Sequence, residues 1–110
     1  MKQLVYSLLV FLAVGIMTME SCTTDEPSTE VTYTANVKPI LDGNCIGCHS
    51  GNTPSGDLDL TTYVNVRAIA ETDTLVLRMN DAMNPMPATG LLPQADRTTV
   101  EDWVAGGFKE

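Results

Sequence analysis

Between residues 32 and 110 the apolar positions recur at helical spacing. Tyr33, Val37, Ile40 and Leu41 share one face of a first helix, with Thr32 or Thr34 as its N-cap. Pro39 kinks that helix or tightens its last turn, and Asp42, Gly43 and Asn44 break it. The stretch from Ser50 to Gly56 is loop by composition. Tyr63, Val66, Ile69 and Ala70 predict a second helix capped by Thr61 or Asp59, and Asp73 or Thr74 caps a third whose stripe is Leu75, Val76, Met79 and Met83. Pro85 and Pro87 exclude helix from Asn84 to Gly90. A last helix starts near Pro93, carries Val100, Trp103 and Val104 on one stripe, and stops at Gly106 and Gly107. Strand-like alternation is confined to Asp57-Leu58-Asp59-Leu60. The pattern predicts an all-α domain of three to five helices joined by long loops.

Ahead of this domain the chain has a different texture. Lys2 is followed by a fourteen-residue apolar run from Leu4 to Met17 and then by the polar Thr18 to Ser21. That is the anatomy of an export signal, and the run is shorter than the roughly 20 residues a membrane-spanning helix needs. Cys22 follows Ser21, with a Thr-, Ser-, Glu- and Pro-containing stretch beyond it. This arrangement resembles a bacterial lipoprotein signal, which implies that Cys22 becomes the acylated first residue of the mature chain. The alternative for Cys22 is a free or intermolecularly paired thiol. Residues 22–31 lack apolar periodicity and read as a solvated tether. The expected organisation is therefore a signal peptide at 1–21, a flexible tether at 22–31 and a folded domain at 32–110.

Composition narrows the possible chemistry. The chain has 110 residues, 44% hydrophobic and 18% charged, which is the make-up of one globular domain. Its fourteen acidic and six basic side chains give a net charge of -8, which repels polyphosphate and argues against nucleic acid as a partner. A folded part of this size has a marginal core, so a staple or a bound prosthetic group is expected. His49 is the only histidine, and the cysteines are Cys22, Cys45 and Cys48, so chemistry needing two histidines is excluded.

Two thiols separated by two residues stand directly before that histidine, in Cys45-Ile46-Gly47-Cys48-His49. The spacing suits covalent haem attachment: the thiols add to the two vinyl groups, and the histidine that follows is carried beneath the iron as proximal ligand. A thioredoxin-like dithiol calls for a strand-to-helix setting that the pattern lacks, and a zinc site calls for four ligands where three are present. Together with Val37-Lys38-Pro39-Ile40-Leu41, Ser55-Gly56-Asp57-Leu58-Asp59-Leu60, Met86-Pro87 and Trp103-Val104-Ala105-Gly106-Gly107, the run is similar to the small monohaem c-type cytochromes of bacterial envelopes. The resemblance covers residues 32–110. It implies a cytochrome c-like fold in which helices and long loops enclose one covalent haem c, the first and last helices cross, and a methionine from a late loop is the distal ligand.

With His49 committed, the sixth iron position falls to Met79, Met83, Met86 or no residue. Met79 and Met83 share the apolar stripe of the third helix, where core filling is the plainer role. Met86 stands between two prolines whose fixed φ angles stiffen the segment, and the resemblance puts the ligand in a Met-Pro context, so Met86 is the expected distal ligand. A haem held by His49 and Met86 leaves no open position for substrate. The expected function is single-electron transfer rather than catalysis, with no small-molecule substrate. The alternatives are a haem-based ligand sensor or a redox subunit of an envelope enzyme, and a haem-free lipoprotein. Trp103 and Tyr63 read as core aromatics that could reach the porphyrin, and Arg67 or Arg78 as a solvated helix face or a propionate partner. The expected location is the periplasm or outer membrane, through the Cys22 lipid. The expected partners are basic-faced redox proteins, met at a salt-dependent rate.

Overall fold

Thr32 begins the first helix as its sequence suggests. Its side chain accepts the Ala35 N–H at 3.3 Å, while its own N–H donates to Asn36 Oδ1 at 2.9 Å, so two donors at the helix start are satisfied reciprocally. The structure, a computed structural model, describes residues 30–110. The expected signal segment 1–21, the acylation candidate Cys22 and the expected tether up to residue 29 lie outside the described residues.

Helix α1 opens as a π-helical segment, Tyr33–Val37, and continues as α-helix through Lys38–Asn44. Pro39, which has no N–H to give, sits in the first turn of the α-helical part, where a missing donor is tolerated. The helix runs through Asp42 and Gly43 and ends at Asn44, the last of the three residues expected to break it. The Lys38–Asp42 ion pair and the bond from Asn44 Nδ2 to Ile40 O (2.8 Å) carry it to Asn44.

Helices α2 (Tyr63–Ala70), α3 (Thr74–Asn80) and α4 (Gln94–Ala105) follow, with a single 3-10 turn at Ser55–Asp57 and no strand among the described residues. The cap of α2 is Thr62, whose side chain accepts from Asn65 N, not Thr61 or Asp59. Asp59 is already used, because its carboxylate accepts the N–H and hydroxyl of Thr61 at 2.9 and 2.7 Å and shapes the turn before the helix. Asp73 stands at the start of α3 without a side-chain cap bond. That helix stops at Asn80, so Met83 leaves the predicted stripe and is 87% exposed.

The protein is all-α. Helix α1 packs on α4, α4 on α3, and α3 on α2. Val37, Leu41, Val66, Val100 and Trp103 are fully buried at the centre. Trp103 is surrounded by aromatic rings: Tyr33 and Phe108 lie 5.8 and 5.3 Å away and Tyr63 6.4 Å, mostly in edge-to-face arrangements. Its Nε1–H donates to Lys109 O at 2.7 Å, and the same carbonyl accepts Tyr33 N–H at 2.7 Å, so the end of the chain ties the start of α1 to α4. The chain can turn back there because Gly107 takes φ 85°. Phe108 N–H then reaches Trp103 O (3.0 Å) and Gly107 N–H reaches Val104 O (3.1 Å), which is a Schellman closure sealed by the Phe108–Trp103 contact.

The domain starts slightly earlier than residue 32. Val31 packs against the core, and Glu30 pairs with Lys109, so the last two residues of the expected tether belong to the folded body.

Candidate functional site

Helix α1 delivers the chain into the turn that carries the chemistry. Cys45 and Ile46 donate to Leu41 O at 2.8 and 3.2 Å, and Cys48 and His49 donate to Cys45 O at 3.2 and 3.0 Å. The five residues from Cys45 to His49 are thus wound into one hydrogen-bonded turn anchored on the end of α1. The following loop is tied back to it: Ser55 N–H donates to Cys48 O (2.8 Å), Leu60 N–H to His49 O (2.9 Å), and the Ser50 hydroxyl to Ile46 O (2.6 Å).

The imidazole is fixed as well as placed. His49 Nδ1 lies 3.1 Å from Leu58 O. A carbonyl has no proton to give, so Nδ1 donates and the neutral ring keeps its free lone pair on Nε2.

These groups line a cavity of about 370 Å³, within the range of small-molecule and cofactor sites. Cys45, Cys48 and His49 reach it from the turn, and Leu58 and Leu60 from the loop beyond. Ile69 of α2, Leu75, Arg78 and Met79 of α3, and Met86 and Pro87 of the next loop complete most of the lining. The surface is mainly apolar, and Arg78 is its one permanently charged side chain among the described residues. Cys45 is half-buried, and that burial pushes its thiol above the usual cysteine range. Cys48 is exposed, and the two sulfurs are not joined to each other. No group of three or more His, Cys, Asp and Glu side chains among the described residues is arranged to hold one metal ion, so the two thiols and the imidazole do not form a zinc cage.

Of the three candidate methionines, Met79 and Met86 line the cavity and Met83 does not. Met79 is also part of the core, at 2% exposure, whereas Met86 comes from a loop and is 37% exposed. The loop is fastened where it matters, since Met86 N–H donates to Arg78 O at 3.1 Å. Of the two arginines, Arg78 lines the cavity and pairs with Asp81 at 3.4 Å, while Arg67 faces away, bound to Glu71 at 2.7 Å and stacked 5.6 Å over Phe108. Tyr63 and Trp103 belong to the aromatic core and stay out of the cavity lining. Tyr63 donates its hydroxyl to Phe108 O at 2.6 Å.

Sequence reasoning missed the part played by Leu58, whose backbone orients His49 and whose side chain, with Leu60, lines the cavity. The signal was present in the brief Asp57-Leu58-Asp59-Leu60 alternation, which in extended backbone turns both leucines to one side. Compared with protein families, curated proteins and solved structures, the chain matches none of them.

Proposed function

We propose that the protein is a membrane-tethered monohaem c-type cytochrome that carries single electrons in the bacterial cell envelope. The observation that carries this reading is the meeting, in one apolar cavity, of both thiols of the Cys45-to-Cys48 pair, the imidazole of His49 and the thioether of Met86. This donor set fits a haem c: two sulfurs for thioether attachment, a nitrogen and a soft sulfur for the iron, and an apolar lining for the ring.

When bound, the haem supplies a one-electron couple. The chain's own residues set the terms of that couple. Cys45 and Cys48 give the sulfurs, and the hydrogen bond from His49 Nδ1 to Leu58 O keeps Nε2 available as a ligand and raises its basicity. Met86 offers a thioether, which favours the ferrous state. The apolar lining from Leu58, Leu60, Ile69 and Leu75 would disfavour the additional positive charge of a ferric haem, again raising the potential. Arg78 is placed to offset a carboxylate on the prosthetic group. A lipid on Cys22 would hold the domain at a membrane, and the net charge of -8 favours a basic-faced redox partner.

The reading is tested by producing the chain with a cytochrome c maturation system and recording oxidised and reduced spectra with and without carbon monoxide. An electron carrier gives low-spin iron in both states, one reversible one-electron couple and no uptake of carbon monoxide by the reduced form. High-spin iron that binds carbon monoxide readily would replace this reading with that of a ligand sensor or a redox subunit with an open distal position.

A further inference from the structure

A carboxylate just past a helix C-terminus lies at the negative end of the helix dipole, where its charge is disfavoured. Asp81 occupies that position after α3, so something else must account for its conformation. One of its oxygens, Oδ1, accepts the N–H groups of Met83 and Asn84 at 2.9 and 3.1 Å. Its other oxygen, Oδ2, faces Arg78 Nη1 at 3.4 Å. The chain is thereby reversed within three residues, and Met86 N–H returns to Arg78 O, one of the otherwise unpaired carbonyls at the end of α3.

Packing does little for this reversal. Ala82, Met83 and Asn84 are all exposed, so no apolar anchor holds the first half of the loop. Its path is set by the Asp81 carboxylate and by the single backbone bond at Met86. We infer that Asp81 is a positioning residue for Met86, folding the loop back along α3 so that the thioether is held at the cavity. The inference rests on the reading of Met86 as the distal iron ligand. The N–H groups of Asn84 and Met83, with Arg78 beside them, hold the Asp81 carboxyl below the usual carboxylate range, as a carboxylate engaged in its ionised form requires.

The test uses the haem-loaded full chain and titrates it with imidazole, a competitor for the distal position, while the far-red band of sulfur-ligated ferric iron is followed. In Asp81→Ala, imidazole displaces the thioether at roughly tenfold lower concentration than in the wild type, the effect of losing about two net hydrogen bonds. Asp81→Asn keeps an acceptor in the same place and stays within about threefold of the wild type. Asp81→Glu moves the carboxylate by one methylene and gives a folded variant with a loss of more than about threefold even where the alanine variant does not accumulate. Wild-type imidazole affinity in Asp81→Ala and Asp81→Glu overturns the role of Asp81 while leaving Met86 as ligand. A far-red band that survives Met86→Ala overturns the ligand assignment and this inference with it.

Discussion

Trp103→Ala is expected to lower the stability of the folded domain by about 3–5 kcal/mol, the usual cost of emptying a buried aromatic site. Trp103 is fully buried, touches Tyr33, Tyr63 and Phe108, and spends its indole N–H on Lys109 O. Alanine would remove the ring around which α1, α2 and the chain end converge, and would leave that carbonyl with the Tyr33 N–H as its remaining donor. A domain of this size has a total stability of roughly 4–12 kcal/mol, so most of the margin disappears. Denaturant titration of the purified protein checks this, with a midpoint that falls steeply or a cooperative transition that vanishes. Trp103→Phe falls between the wild type and the alanine variant, because it keeps a packed ring while giving up the hydrogen bond, about 1 kcal/mol, and the volume of the second ring. The consequence extends to the site: α1 ends at Asn44, directly before Cys45, and loosening its contact with α4 reduces the yield of matured protein.

The second large effect is expected at Met86. In the haem-loaded protein Met86→Ala removes the far-red band, opens the distal position to added ligands and lowers the potential, by an appreciable part of the roughly 0.8 V over which axial ligands set it. The other methionines behave differently because they stand elsewhere. Met83 is 87% exposed and does not line the cavity, so Met83→Ala leaves spectrum and potential unchanged. Met79 is 2% exposed in the core, so Met79→Ala costs about 2–5 kcal/mol of stability and keeps the band. Spectra and protein-film voltammetry of the three variants check the assignment together. A band lost only in Met79→Ala would move the ligand from the loop to α3.

The helices were legible in the sequence because their stripes are strong. Tyr33 with Val37 and Leu41, Val66 with Ala70, and Val100 with Trp103 are spaced as buried helical faces and are buried in the structure. The ends were less legible, because they depend on which of several neighbouring polar groups takes a given N–H. Thr61, Thr62 and Asp59 are all competent caps, and Thr62 is the one left free once Asp59 has engaged Thr61. Met83 continues the α3 stripe at helical spacing, yet Asp81 captures its N–H and ends the helix first. The π-helical opening of α1 has no periodicity of its own to read.

The candidate site was legible as chemistry and much less as geometry. Cys45, Cys48 and His49 announce themselves by spacing, and Met86 by its flanking prolines. Nothing local says that Leu58 O will receive the His49 N–H nine residues away, or that Arg78 rather than Arg67 will face the cavity. Both outcomes depend on the packing of separate elements. Asp81 was invisible for the same reason, since its role appears only when the loop's backbone bonds are traced to their acceptors.

The most direct measurement is the intact mass of the protein, matured with a cytochrome c maturation system and then fully denatured before analysis. The account predicts a chain heavier than the polypeptide by one haem, with the added mass retained through denaturation and mapped to the peptide holding Cys45 and Cys48, and absent when both are replaced by serine. A denatured chain with the bare polypeptide mass, or a haem that washes away, would contradict it.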